Sequence, residues 1–270
     1  MAITSNDITQ KKYKKLSIQV SLSGLSFCIF DLITNKIIAF NEMQFAKNAV
    51  IEEQLWKAFV AYPILTNDYD EIVVLHDNNL NTFVPNTLFD TNFLGSYLQY
   101  NVKVFETDFF TFDPIDNHEI NNVYVPYVNI NNFLLDQFTA FEYKNVHSIL
   151  VKKLLDISIG TDEKQVYVHL QKENFQIVVV KNQQLLLFNS FEYSTAEDFI
   201  YYLLFTCEQL QLSPETIAVY LLGLIDEKSE YFKMAYKFIR NCNLLETEKW
   251  ASMLDKNEAE VRKKFILFHS

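Results

Sequence analysis

Glycine is scarce. At the average usage of about 7% a chain of this length would carry on the order of nineteen. This one, of 270 residues, carries four: Gly24, Gly95, Gly160 and Gly223. A site that cradles phosphate on backbone amides needs residues that reach positive φ and let a ligand approach closely, and there is little material for one. Cysteine is also rare: Cys28, Cys207 and Cys242 are far apart and odd in number. That excludes a disulfide framework and the usual zinc spacings, and the three read as small apolar residues kept reduced. No apolar run reaches about eighteen residues, so no transmembrane helix is expected. The first residues, Met1-Ala-Ile-Thr-Ser-Asn-Asp7, lack the apolar stretch and small-residue cleavage site of a signal peptide, and a cytoplasmic location is expected. Positive charge is outnumbered, 23 Lys and Arg against 34 Asp and Glu, for a net −11. A polyanion is repelled on average, so a nucleic-acid role needs a local basic patch. The one dense patch, Lys11-Lys12-Tyr13-Lys14-Lys15, reads as a solvated tail before the first strand, and no nucleic-acid partner is expected.

What is present is a folding chain. Hydrophobic residues make up 49% and charged residues 21%, as in a globular protein, and the length suits two lobes better than one core. There are 24 Phe and 15 Tyr. Phe fills cores, while Tyr tolerates half-exposure and is common at interfaces, which points to a protein partner or a homodimer without locating the contact.

The chain says part of itself twice. Val166–Ile225 reads as three strands (Val166–Leu170, Phe175–Val180, Leu185–Phe188), a helix from Ser194 to about Leu212, and a strand Ile217–Leu222. Slid back 148 positions without a gap, its first part lies on Ile18–Phe45. Val20 then falls on Val168, Leu22 on Leu170, Phe27 on Phe175, Ile29 on Ile177, and Phe40-Asn41 on Phe188-Asn189. In the first half Gly24 supplies a turn, a helix follows over Glu52–Leu65, and Glu71–Leu75 is a short apolar run, as in a buried strand reached by a crossover. Both halves therefore read β-β-β-α-β: an antiparallel meander, then a helix that returns a parallel strand beside the first. Between them the pattern loosens. Strands are expected at Lys103–Phe105, Val123–Pro126 and Phe141–Tyr143, an exposed loop without metal at Thr111–Asn121, and helices at Asn131–Phe138 and Val146–Ile157. The boundary is set near Ser158–Asp162, giving lobes 1–157 and 158–270, with further helices at Glu230–Asn241 and Glu246–Leu254.

Two such units beside a cleft are the architecture of the actin, sugar kinase and heat-shock-protein superfamily, whose lobes are ribonuclease-H-like. The stretches Leu16-Ser-Ile-Gln-Val-Ser-Leu-Ser-Gly-Leu-Ser-Phe27 and Asn189-Ser-Phe-Glu-Tyr-Ser-Thr-Ala-Glu-Asp-Phe-Ile-Tyr-Tyr-Leu-Leu-Phe205 carry the likeness further. They resemble an uncharacterised Bacteroidetes family, domain of unknown function 3822, over nearly the whole chain. The resemblance implies an actin-like ATPase fold and no activity.

Actin-like ATPases place an Asp-x-Gly turn after the first strand of each lobe, where the carboxylate positions magnesium or the attacking water. Here the first turn is Ser21-Leu22-Ser23-Gly24, and the second, His169–Asn174, has neither glycine nor an aligned Asp. Nucleotide binding, the alternative reading, would fall to Ser21, Ser23, Gly24, Lys172 and Gly223, with ATP and Mg²⁺ as the cofactor. Other groupings read as structural. Asp113, Asp116, His118 and Glu119 share a loop with spacing a hard cation tolerates, but an acidic polar loop is the plainer reading. His76-Asp77 reads as a polar strand end and His147 as a surface or capping residue. Ser194 or Thr195 caps a helix whose first turn holds Glu197 and Asp198, and Phe199, Leu203, Cys207 and Leu210 form its core stripe. The expectation is a protein-binding or assembly module without catalysis or cofactor. An enzyme of unrelated chemistry is the third reading.

Overall fold

Alternation builds the first sheet. Leu16, Ile18 and Val20 of β1 (Lys14–Ser21) are buried on one face, with Ser17 on the other. β2 (Gly24–Asp31) and β3 (Lys36–Gln44) complete an antiparallel meander. Helix α1 (Ile51–Ala61) crosses over to β4 (Glu71–His76), parallel to β1. The computed structural model describes residues 11–105 and 107–270. A small sheet follows, made of β5 (Asn81–Pro85), β6 (Thr111–Ile115) and β7 (Ile120–Tyr124), with α2 (Leu94–Leu98) packed on it. The chain returns through α3 (Val128–Gln137) to β8 (Glu142–Asn145) and enters α4 (Val146–Ile157).

The second half repeats the order. β9 (Gln165–Leu170), β10 (Asn174–Lys181) and β11 (Gln184–Glu192) form the meander, α5 (Ala196–Gln209) crosses over, and β12 (Ala218–Gly223) lies parallel to β9. Then come α6 (Glu230–Phe238), β13 (Asn241–Leu244), α7 (Glu248–Leu254), α8 (Glu258–Lys263) and α9 (Phe265–Phe268). The two large sheets have the same order, β3-β2-β1-β4-β8 and β11-β10-β9-β12-β13. This is the expected duplicated α/β arrangement, with a further parallel strand in each sheet: β8 overlaps the strand expected at Phe141–Tyr143, and β13 is the addition.

The register of the repeat differs from the ungapped one. The first turn closes on Ser21↔Gly24 and the second on Gln171 N–H to Asn174 C=O, an offset of 150 rather than 148. The offset returns to 148 in the third strand, because Leu32–Asn35 joins β2 to β3 while Asn182-Gln183, both at positive φ, join β10 to β11. A slip of two keeps every side chain on its own face, so the hydrophobic pattern hides it. Both meanders also carry a bulge at the same place, between Ile29 and Phe30 and between Val179 and Val180.

Three layers of core result. The outer face of the first sheet is covered by Leu55 and Phe59 of α1 with Ile130 and Leu134 of α3. That of the second is covered by Phe199, Leu203 and Cys207 of α5 with Ala235 of α6. The inner faces share one cluster built on α4 and the C-terminal helices, including Leu150, Leu154, Phe265 and Leu267. Thr195 caps α5 in a reciprocal box with Asp198, as the sequence suggested.

Several expectations fail on partners that are distant in sequence. Thr111–Asn121 is the β6–β7 hairpin, not an exposed loop. Pro114 fits because β6 is an edge strand and needs no outward donor there. Lys103–Phe105 is irregular, and the helix expected to Asn241 stops at Phe238, with Asn241–Leu244 forming β13. Lys11–Lys15 is held rather than trailing: Asp70 accepts from the Lys12 and Lys14 amides, and the Lys15 ammonium donates to the Ser270 carbonyl at 2.7 Å. The polar stretch before it, residues 1–10, lies outside the described residues.

Asp113 is the main departure. It is buried and accepts from Ser148 Oγ at 2.5 Å, from the Asn145 amide at 2.9 Å and from the Tyr124 hydroxyl at 3.0 Å. It thus ties the small sheet to the N-terminus of α4. Asp113→Leu strands three donors, each costing about 1–3 kcal/mol when left unpaired. We expect a loss of several kcal/mol in denaturant unfolding; a loss below about 1 kcal/mol would show that the anchor is not structural.

Candidate functional site

The two hairpin turns and the ends of the parallel strands beside them converge. In the first turn, Ser21 Oγ lies 3.0 Å from Ser23 Oγ and accepts the Ser23 amide at 3.1 Å. The hydroxyls therefore satisfy the turn itself, and Leu22 stands exposed at its tip. Gly24 is required for a reason other than positive φ. A Cβ there would sit 2.7 Å from the Met43 carbonyl oxygen, on the neighbouring strand β3. In the second turn Lys172 is exposed, followed by Glu173.

Gly223 ends β12 opposite Leu170, with φ +90°. A Cβ on it would lie 2.1 Å from the Leu170 carbonyl oxygen. That same oxygen accepts the Leu224 amide at 2.8 Å, as the Val20 carbonyl accepts the Asp77 amide at 2.9 Å in the first half. Contact between strands accounts for this glycine too.

Amides and one carboxylate bridge the space between the turns. Asp77 accepts from Gln19 Nε2 at 2.8 Å on one oxygen and from Gln171 Nε2 at 3.3 Å on the other. These bonds join β1, the segment after β4 and the second turn. Gln176, buried on β10, reaches Asn79 Oδ1 at 3.5 Å. The structure thus brings Ser21, Ser23 and Gly24 together in one turn, with Lys172 in the other and Gly223 beside it. Sequence reasoning missed Gln19, Gln171 and the bridging role of Asp77. The residues are visible, but their convergence depends on the fold.

Three buried histidines, His76, His147 and His169, and the half-buried His269 lie in this region and the core. His76 accepts the Tyr127 amide on Nδ1 and donates from Nε2 to Asn131 at 2.9 Å. Its burial lowers its pKa to about 4. His147, expected at the surface, is fully buried: it donates from Nδ1 to Asn81 at 2.8 Å, has no partner at Nε2, and its pKa is lowered by burial to about 3. His169 pairs with Gln176 and His269 with the Phe265 carbonyl; burial lowers both, the latter to about 4. Such imidazoles stay neutral and structural at pH 7. Asp113 is pushed up to about 6, chiefly by burial. Among the described residues no three His, Cys, Asp or Glu side chains are placed to hold a metal ion, and no helix is long and apolar enough to cross a membrane.

The model of one family matches residues 3–242, under the description "Protein of unknown function (DUF3822)". The chain belongs to that family. A solved structure from Bacteroides thetaiotaomicron, a protein with actin-like ATPase fold and unknown function, superposes with a TM-score of 0.81 at 23% identity, over 92% of this chain and 98% of that one. The PilM–PilN type IV pilus biogenesis complex follows at a TM-score of 0.58 and 11% identity, over 94% of this chain and 96% of that one. Comparison with curated proteins finds no match. The family member therefore has the actin-like ATPase fold, as its two like-ordered sheets require.

Proposed function

We propose that the chain is a non-catalytic actin-like-fold protein, divided into lobes 1–157 and 158–270, that works in the cytoplasm by binding another protein and uses no nucleotide or metal. One observation carries this reading. Neither hairpin turn bears the Asp-x-Gly pattern, and the nearby carboxylate, Asp77, is held by Gln19 and Gln171. Metal-assisted phosphoryl transfer depends on carboxylates that hold the ion and aim the water; here Asp77 is engaged in joining strands, and Glu173 stands at the exposed tip of the second turn. PilM, solved as a complex with PilN, is a case of the same fold used in an assembly, which supports the reading by analogy.

Melting with and without Mg²⁺–ATP tests it. A ligand that binds only the folded state, present at about 100 times its Kd, adds about 2.7 kcal/mol. For a chain of this size that is a shift of roughly 5–10 °C. We expect no shift at millimolar ATP. An ATP-specific rise that disappears in Lys172→Ala, an exposed position whose change leaves the apo melting point alone, would establish the ATP-binding switch instead. Gly24→Val is unsuitable as the control, because its side chain collides with Met43 whether or not ATP binds.

A further inference from the structure

The small sheet and the second large sheet each end in a strand without an outer neighbour, β5 and β11. These two edges form opposite walls of a groove of about 730 Å³. Asn79, Asn81 and Thr82 line one wall and Phe188 to Glu192 the other, with Tyr100 at the rim. Phe83 and Phe188 meet edge to face at 4.9 Å. The strands do not pair with each other, so the groove separates two sets of main-chain groups.

The register shows which groups are unused. The Tyr193 amide donates to the Glu173 carbonyl, which makes Phe191 and Asn189 the residues that exchange hydrogen bonds with β10. Phe188, Ser190 and Glu192 consequently turn their main-chain groups outward. The Ser190 amide is taken by the Asn189 side chain at 2.9 Å. Among the described residues no donor reaches the carbonyls of Phe188, Ser190 or Glu192. The equivalent edge, β3, is different: Glu42, which corresponds to Ser190, has its carbonyl occupied by the Tyr62 hydroxyl at 3.2 Å. One outward carbonyl of β3 is thus occupied, whereas the three of β11 lie beside a groove.

An open edge in a groove is complementary to an extended chain, because main-chain bonds supply affinity and the flanking side chains supply selectivity. Among the described residues lining the groove Glu192 is the one acidic side chain and none is basic; the chain's net charge is −11, so the occupant should be basic there. We propose that an extended peptide segment of another protein, carrying a basic side chain opposite Glu192, binds in this groove by adding a strand to the free edge of β11. This deepens the protein-binding reading and rests on it.

The test selects phage-displayed random short peptides on the intact chain and measures their binding to variants. Glu192→Pro removes an outward amide without touching the β10 ladder, as an edge strand permits. Glu192→Lys reverses the charge at an exposed position. Selected peptides should be rich in Lys or Arg and bind each variant about tenfold more weakly or worse, with the melting point kept. On binding, the Phe188 and Glu192 amides should exchange more slowly. The proposal is overturned if no peptide is selected, or if those selected bind both variants as they bind the parent. It is also overturned if the same amides are protected by self-association without peptide, which would make a second copy the occupant. Peptides that bind away from the groove would defeat this site and leave the protein-binding reading standing. Saturable ATP binding would defeat that reading whatever the groove does.

Discussion

The chain should lose most of its stability between pH 6.5 and 4.5. His76, His147 and His269 have folded pKa values of about 4, 3 and 4, all below their ordinary 6.5. A group whose folded pKa is depressed gives stability that is present above its unfolded pKa and is lost as pH falls toward its folded one. Each histidine then costs about 1.4 kcal/mol per pH unit below 6.5, so three of them cost about 8 kcal/mol over two units. Asp113 acts in the opposite sense. Its folded pKa is raised to about 6 from 3.8, so acidification from about pH 6 to 4.5 returns about 2 kcal/mol. The histidines prevail, with a net loss of about 6 kcal/mol, comparable with the whole stability of many domains. Urea unfolding at pH 7, 6 and 5 measures this directly. A stability that is flat or rises on acidification would mean that the histidines are not buried and neutral as described.

Gly223→Ala should be the most damaging single methyl group in the protein. The added carbon would stand 2.1 Å from the Leu170 carbonyl oxygen and 2.9 Å from its amide nitrogen. Both are backbone atoms at the paired ends of two central strands of the second sheet, and neither belongs to a flexible side chain. The positive φ adds strain of its own, about 1–2 kcal/mol. We expect more than about 4 kcal/mol of destabilisation, in the range reserved for gross steric conflict. Gly160 serves as the comparison: its φ is +74° but no atom lies within 4 Å of the built Cβ. Gly160→Ala should cost only the strain, about 1–2 kcal/mol. Equal losses at the two positions would show that strand contact is not what fixes Gly223.

How far the sequence is legible follows from what its pattern encodes. Alternation in Leu16, Ile18 and Val20 fixes which face of β1 is buried, and an alignment two residues out of register preserves that face. The fold therefore emerged although Leu22 corresponds to Lys172 and not to Leu170. The amphipathic stripe of α4 marks its limits, Val146 and Ile157, in the sequence itself. The weak elements were those whose support is distant. Asp113 looks like a loop residue until Ser148, Tyr124 and Asn145 surround it. His147 looks like a capping residue until Asn81 and Phe188 enclose it; the cap is Asn145. β13 has four residues and follows a helix without a marked break, so periodicity has little to act on. In the candidate site the missing carboxylates were plain from Ser21–Gly24 alone. The bridge from Gln19 through Asp77 to Gln171 was not, because its three members come from three segments.

The most direct measurement of the central claim is equilibrium dialysis of labelled ATP, with Mg²⁺, against the full chain. With Asp77 committed to Gln19 and Gln171, and serines where a carboxylate would hold magnesium, the account predicts equal label on both sides of the membrane up to millimolar ATP. Saturable binding approaching one ATP per chain would contradict it.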